Sequence, residues 1–492
     1  MSEETLSESE PKPQRLMSID ALRGFNMLFI MGGAGLMLNI AALWPTSSFW
    51  QAFSGQMEHV EWHGLAHHDT IFPLFLFLAG AVFPFSLAKQ RERGRSKAQI
   101  YRKVFTRGIL LVLFGILYGN AVNFDFANLR YAGVLAHIGL AWMFAALLTI
   151  WFSTRVRAIL LGVILVGYWL LIGFVPAPDS MENIPKVLTY RQEQRDDLQR
   201  ELDSCRQRLE NLPKREAELT EELAALEHPA EETIETPEQT RERKAQIRKV
   251  RADLREIPAT QIWLPLSIAQ LEKAVATIQA DMDGMQRRLD GKEALDPLAF
   301  ESTLVGYVDR QWMPGRLYER TFDPEGFLSL IPAIGTALLG VFTGEYLRRR
   351  REGLTENKRV LRMLAAGLVL VLIGWLWSFA FPINKKLWTS TFVLVVGGGS
   401  IMATALFYWI IDVLGYRRWS FFFMVIGMNS ITVYLASRII GFRQARDFFF
   451  LKFSQLPCFS DSMEAVILSL GGITIMWLFV YFLYRQKIFL RV

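Results

Sequence analysis

Apolar residues in this chain come in blocks of roughly 18 to 22, the helix length that crosses ~30 Å of hydrocarbon, and charge collects between the blocks. The blocks predict about ten transmembrane helices, near residues 22–43, 70–89, 108–122, 133–153, 158–175, 327–347, 360–381, 390–411, 420–440 and 464–484. The third is the shortest. Residues 1–14, rich in Ser, Glu and Pro, bury no core and read as a disordered cytoplasmic tail. The first block carries Asp20 and Arg23 at its mouth and has no small-residue cleavage site, so it reads as an anchor helix rather than a removed signal.

Residues 180–295 follow a different pattern. Leu198, Leu202, Leu209, Leu212, Leu219, Leu223 and Leu226 recur at threes, fours and sevens among Glu, Arg and Gln, the mark of an amphipathic helix seeking one partner stripe. After the Pro-rich break HPAEETIETPEQ, a return helix carries Ile247, Val250, Leu254 and Ile257, and a third carries Ile268, Leu271, Val275, Ile278, Met282 and Leu289. The expected fold is therefore an all-α polytopic membrane protein with an inserted extracytoplasmic helical hairpin or coiled coil. Residues 15–179 form the first five helices of the bundle, 180–295 the insertion and 296–492 the second five. The Leu stripes admit a homodimer.

Orientation follows from Lys and Arg in the short loops. KQRERGRSKAQIYRKVFTR after the second span and RRRREG after the sixth belong in the cytoplasm, which places both termini there too. The loop 44–68 holds no Lys or Arg and is expected to face outward, as are the insertion and the loop near 382–388. These features fit a multi-pass inner-membrane protein with both termini in the cytoplasm.

Composition changes the picture little. Half of the 492 residues are apolar (51%) and 21% are charged, so the charge must be segregated from the spans. The net charge of +6 arises in topology-setting loops, which argues against a nucleic-acid partner and for a lipid bilayer. Cys205 and Cys458 match no metal spacing, and no phosphate loop, dinucleotide fingerprint or CxxC pair is present.

Polar residues near membrane spans are costly and therefore informative. The stretch MEHVEWHGLAHHD holds His59, His63, His67 and His68 with Asp69, four of the six histidines. Three readings stand for it: a zinc site, with His63 and His67 sharing a helical face; a single basic histidine oriented by a carboxylate; or interfacial packing of amphipathic rings. In RLMSIDALRG, Asp20 and Arg23 can pair three apart, or Arg23 can meet an entering phosphate or carboxylate. Asp323 and Glu325 in FDPEGFLSLIPAIG suit a helix N-terminus. Asn384, Lys385 and Lys386 precede the eighth span, and Asn429 in GMNSITVYL lies within the ninth, where an amide needs a partner.

In this order RLMSIDALRGFNMLFIM, EHVEWHGL with DTIFPLFLFLAG, RGILLVLFGILYGN, LRYAGVLAHIGLAWMFAALL, GYVDR, FDPEGFLSLIPAIGTALLGVFTG, NKKLWTSTFVL, MNSITVYL and the closing YRQKIF resemble the heparan-alpha-glucosaminide N-acetyltransferase family and its bacterial relatives, over nearly all of the bundle. The resemblance implies a transmembrane acyltransferase that moves acetyl from acetyl-CoA to an amino sugar or other glycan acceptor on the outer side. It aligns the family's active histidine with His59 and sets aside the zinc reading, so no metal is expected. Asp69 can orient the ring; Arg23, Asn384, Lys385, Lys386 and Asn429 are the candidates for holding CoA. His137 stands where the family shows Arg and reads as a packing or channel residue. The insertion interrupts the family pattern, and the large amino-terminal outer domain of the lysosomal enzymes is missing, which points to an acceptor other than heparan. Alternatives from other classes are a transporter or flippase for a glycan or lipid precursor, and a membrane scaffold built around the helical arm.

Overall fold

The computed structural model describes residues 16–44, 46–119, 128–228, 236–349, 353–456 and 459–490. Among them every regular element is helical. The first half comprises α1 (Met17–Ala41), the short α2 (Ser48–Gly55), α3 (His67–Glu92), α4 (Lys97–Gly119), α5 (Val134–Trp151) and α6 (Thr154–Phe174). The arm is α7 (Ser180–Glu227) and α8 (Pro237–Leu289), followed by the short α9 (Leu304–Trp312). The second half comprises α10 (Leu330–Arg348), α11 (Glu356–Trp377), α12 (Ser390–Val413), α13 (Ser420–Met428), α14 (Ser430–Ile439), α15 (Phe442–Ser454) and α16 (Asp461–Arg485).

The protein is an all-α polytopic membrane protein. Eight of the described helices are long and apolar enough to cross a membrane, nine if α13 and α14 count as one broken span. The difference from the expected count of about ten lies at two places. The ninth span is not continuous: α13 and α14 meet at a 68° bend on Asn429. Residues 108–119 of the third expected span fall in α4, whose first half carries Lys97, Arg102, Lys103 and Arg107, and 120–122 lie outside the described residues. Only its second half is uniformly apolar, and there Ile109, Leu113 and Leu117 project outward at i, i+4 and i+8, as on a lipid-facing helix.

Without a hydrophobic drive between helices in lipid, close backbone packing does the holding, and small residues permit it. A Cβ at Gly340 of α10 would sit 2.0 Å from the Phe77 carbonyl oxygen of α3, and one at Gly427 of α13 would sit 1.8 Å from the Asp20 oxygen of α1. The main core lies between α3, α5, α10 and α12, around Phe77, Ala141, Leu338 and Phe392.

The arm differs from its sequence reading. The expected return helix and third helix are one, because α8 runs unbroken through Pro258 and Pro265. Each proline costs roughly 3 kcal/mol in an isolated helix, and packing along α7 offsets it. Leu219 of α7 with Val250 and Ile257 of α8 forms the dry seam, flanked by the Arg206–Glu272 and Arg251–Glu227 ion pairs. Nor does the arm stand free at its base: Ile184, Val187 and Met285 share a core with Tyr168, Phe322, Phe381 and Leu387 of the bundle.

Candidate functional site

Asp69 lies in the first turn of α3, and Lys89 and Arg91 lie in its last turn. Acidic-first and basic-last residues both suit the helix dipole, and the two ends are separated by about 30 Å of helix rise. Asp69 is buried and organises the loop before it. Its Oδ2 accepts from the amides of Val60 and Ala66, both at 3.2 Å, and its Oδ1 lies 2.7 Å from Nδ1 of His59. A carboxylate only accepts, so the 2.7 Å contact places a proton on Nδ1, and in the neutral ring the lone pair is on Nε2. The His59 side chain is 54% exposed, and Nε2 makes no hydrogen bond among the described residues.

Lys385 completes the group. Its Nζ is 3.1 Å from Asp69 Oδ1 and 3.0 Å from His59 Nδ1, and burial lowers its pKa against the raising effect of Asp69. Lys385 is held there by a tight turn in which Asn384, fully buried, accepts from the Leu387 amide through Oδ1 at 2.8 Å. Trp388, whose φ of 52° is uncommon for a bulky side chain, closes the turn and donates Nε1–H to Thr336. The Gly64 amide donates to the Ile383 carbonyl at 2.9 Å, joining the histidine loop to this turn. His68 packs its ring edge-on to His59, centroids 4.4 Å apart. Among the described residues no three His, Cys, Asp or Glu side chains are placed to hold one metal ion.

Beside this cluster the segment 318–327 is fixed by charge. Arg130 makes a bidentate pair with Asp323, at 2.9 and 2.7 Å, and reaches Glu325 at 2.5 Å. Asp309 of α9 accepts from the amides of Phe327 at 3.0 Å and Asp323 at 3.3 Å. Burial pushes the Asp309 carboxyl up to about 7 against those two amides. A carboxyl raised in the fold adds stability that is full below its unfolded pKa of about 3.9 and is lost as pH rises through the folded value. Unfolding measured from pH 4 to 8 should therefore show stability falling with pH, and Asp309→Asn should flatten that fall.

The structure brings His59, Asp69 and Lys385 together, and Asn384, next to Lys385 in the chain, has its Nδ2 3.5 Å from Nδ1 of His63. It does not bring the other candidates there. Lys386 turns away to Glu319, at 2.6 Å. Arg23 pairs with Asp20 and lines a cavity of about 270 Å³ inside the bundle, together with Arg107, Phe75, Val82, Ile138 and Tyr434. Asn429 is buried at the helix break, and neither amide atom has a hydrogen-bond partner among the described residues. Sequence reasoning missed Arg107, counted only as a topology charge, and Arg130 and Asp309, whose partners are distant in the chain. Their one visible signal was placement within LRYAG and GYVDR, between apolar runs.

No family model matches the chain. Over 153 residues it is 29% identical to heparan-alpha-glucosaminide N-acetyltransferase of Homo sapiens, a stretch covering 29% of this chain and 20% of that protein. Over 147 residues it is 27% identical to the Mus musculus protein of the same name, covering 28% and 20%. The likeness to that family is thus distant, and the chain spans about a fifth of the length of the curated relatives it matches. It is also narrower than the near-complete bundle coverage read from the motifs.

Proposed function

We propose that this protein is a transmembrane acetyltransferase that passes acetyl from acetyl-CoA to an amino sugar or other glycan acceptor outside a bacterial inner membrane. One observation carries the reading. His59 is held through Nδ1 by buried Asp69, with Nε2 open at the end of α3 remote from its basic turn. The likeness to two proteins named N-acetyltransferases supports it. By the positive-inside rule that end faces away from the cytoplasm.

The cavity beside Arg23 and Arg107 suits the donor: two guanidiniums for phosphate and apolar walls for a pantetheine arm. The exposed Nε2 serves two routes. As a base it takes the proton of the acceptor ammonium; the amine attacks the thioester carbonyl, the C–S bond breaks, and the departing CoA thiolate takes the remaining proton from the acylated nitrogen, leaving the neutral amide and CoA thiol. As a nucleophile it takes acetyl itself with loss of CoA thiolate; the acceptor in its amine form then attacks the acetyl-imidazolium, the Nε2–C bond breaks to restore neutral His59, and the amine's proton passes to the CoA thiolate. In both routes Asp69 stabilises the cationic ring.

The break at Asn429 favours a second reading, since discontinuous helices with unsatisfied polar groups line the sites of many carriers. A glycan or lipid carrier would not consume acetyl-CoA. Purified protein in nanodiscs, given radiolabelled acetyl-CoA and glucosamine, should form labelled N-acetylglucosamine and hydrolyse acetyl-CoA slowly without acceptor. No turnover of acetyl-CoA in either assay overturns the acetyltransferase.

A further inference from the structure

The base of the arm encloses a second cavity, of about 430 Å³, against the loop that presents His59. Val60, Glu61, Trp62 and His63, the four residues after His59, form one wall; α7 supplies Arg191, and α8 and the segment after it supply the rest. This volume is within the ordinary range for small-molecule sites, about 300 to 1,000 Å³. Without the insertion the cavity would have no opposite wall.

Its chemistry is that of a carbohydrate site with an anionic bias. Trp62 and Phe300 stand edge-to-face with centroids 5.3 Å apart, and Trp62 is fixed by donating Nε1–H to the Leu298 carbonyl. The half-buried Trp62 ring offers an apolar surface to the C–H side of a pyranose, while Phe300, 5% exposed with the Arg191 guanidinium 5.1 Å over its ring, backs the wall. The charged groups do not balance. Arg288 pairs with Glu301, Arg191 with Glu61, and Arg287 with Glu293 outside the lining. Asp281 and Asp296 have no ion pair among the described residues, although Asp296 caps the Leu298 amide. His63, the remaining titratable group on the wall, has its pKa lowered by burial against the effect of Asp296, so it adds no cation at neutral pH.

A further polar group is left unsatisfied. Arg191 is only 7% exposed and lines the cavity; Nη1 is used by Glu61 and Gln194, whereas Nε is buried without a partner. A buried N–H donor without an acceptor is costly, and a ligand oxygen would relieve it.

We infer that this cavity is the acceptor site, built by the insertion and selective for a glycan bearing a free amine, with Asp281 and Asp296 facing the ammonium and Arg191 Nε donating to a sugar oxygen. The inference rests on the acetyl-transfer reading and adds to it where the acceptor binds and why this chain carries an arm. The loop 59–63 then joins the two halves of the reaction, with His59 at one end and the acceptor wall at the other.

Direct binding tests it apart from catalysis. The full chain in nanodiscs, without acetyl-CoA, is titrated with a β-1,4-linked glucosamine tetramer and with the same tetramer fully N-acetylated. The amine form should bind at least about tenfold more tightly, as expected for charge-assisted contacts. Asp281→Asn with Asp296→Asn should weaken binding of the amine form by about tenfold, and Ala280→Trp, which fills the cavity from an exposed position on α8, should abolish binding of both. Failure of the wild type to bind the amine form, equal binding of the two tetramers, or unchanged affinity in both variants overturns the acceptor site. Intact binding with no acetyl-CoA turnover in the wild type would instead overturn the transferase reading alone.

Discussion

His59→Ala is expected to lower acetyl transfer by about 10²- to 10⁴-fold, the range contributed by a positioned acid–base group, while leaving the fold in place. The ring is more than half exposed, and its contacts are the edge of His68 and the polar pair Asp69 and Lys385. Truncation therefore opens no cavity, and the surviving Lys385–Asp69 pair at 3.1 Å keeps the buried carboxylate satisfied. Unfolding in detergent should shift by no more than about 0.5 kcal/mol, as for surface substitutions. Asp69→Asn separates the roles further. Its amide N–H₂ would donate to Nδ1, reverse the tautomer and remove the Nε2 lone pair, so transfer should fall although His59 remains. Its carbonyl would still accept from the Val60 and Ala66 amides, but its N–H₂ would stand against the Lys385 ammonium in place of an acceptor, so its stability loss should exceed that of His59→Ala. Transfer by His59→Ala within threefold of wild type would remove His59 from the chemistry.

What the chain reveals before folding depends on how local each determinant is. Membrane spans are legible because bilayer thickness sets their length and the alternation of apolar and charged blocks follows directly. His59 and Asp69 are ten residues apart, so a loop returning onto the start of a helix suffices to join them. Lys385 lies 316 residues from Asp69 and Arg130 lies 193 from Asp323, and nothing in composition or spacing links such partners. The break at Asn429 was illegible for another reason: GMNSITVYL contains no proline, and a lone amide in an apolar run equally fits a straight helix with a hydrogen-bonded side chain. Pro258 and Pro265 erred the other way. Their local preference is to end a helix, and the α7 seam overrides it.

Arg130→Met is expected to destabilise the protein by about 3–5 kcal/mol, the cost of removing one partner from a buried ionic group. Asp323 is fully buried and Glu325 nearly so, and Arg130 is the cation that pairs with both. Burial already raises the Glu325 pKa against the lowering effect of Arg130. Without the guanidinium the two adjacent carboxylates cannot both remain ionised, and the variant should take up a proton there. Adding Asp323→Asn and Glu325→Gln to Arg130→Met removes the stranded charges and should recover most of the loss, because a neutral set is far cheaper to bury than an unpaired carboxylate. The part not recovered measures three other contacts: the stacking of Arg130 over Tyr318, 4.6 Å from the ring centroid, and the Asp323 bonds to the Tyr318 and Glu325 amides, both at 3.1 Å. Both can be read by denaturant titration of the protein in detergent. If the triple variant is no more stable than Arg130→Met, stranded charge is not the cause. The segment 318–327 is then held chiefly by stacking and by the amide bonds to Asp309, which Asp309→Asn weakens independently.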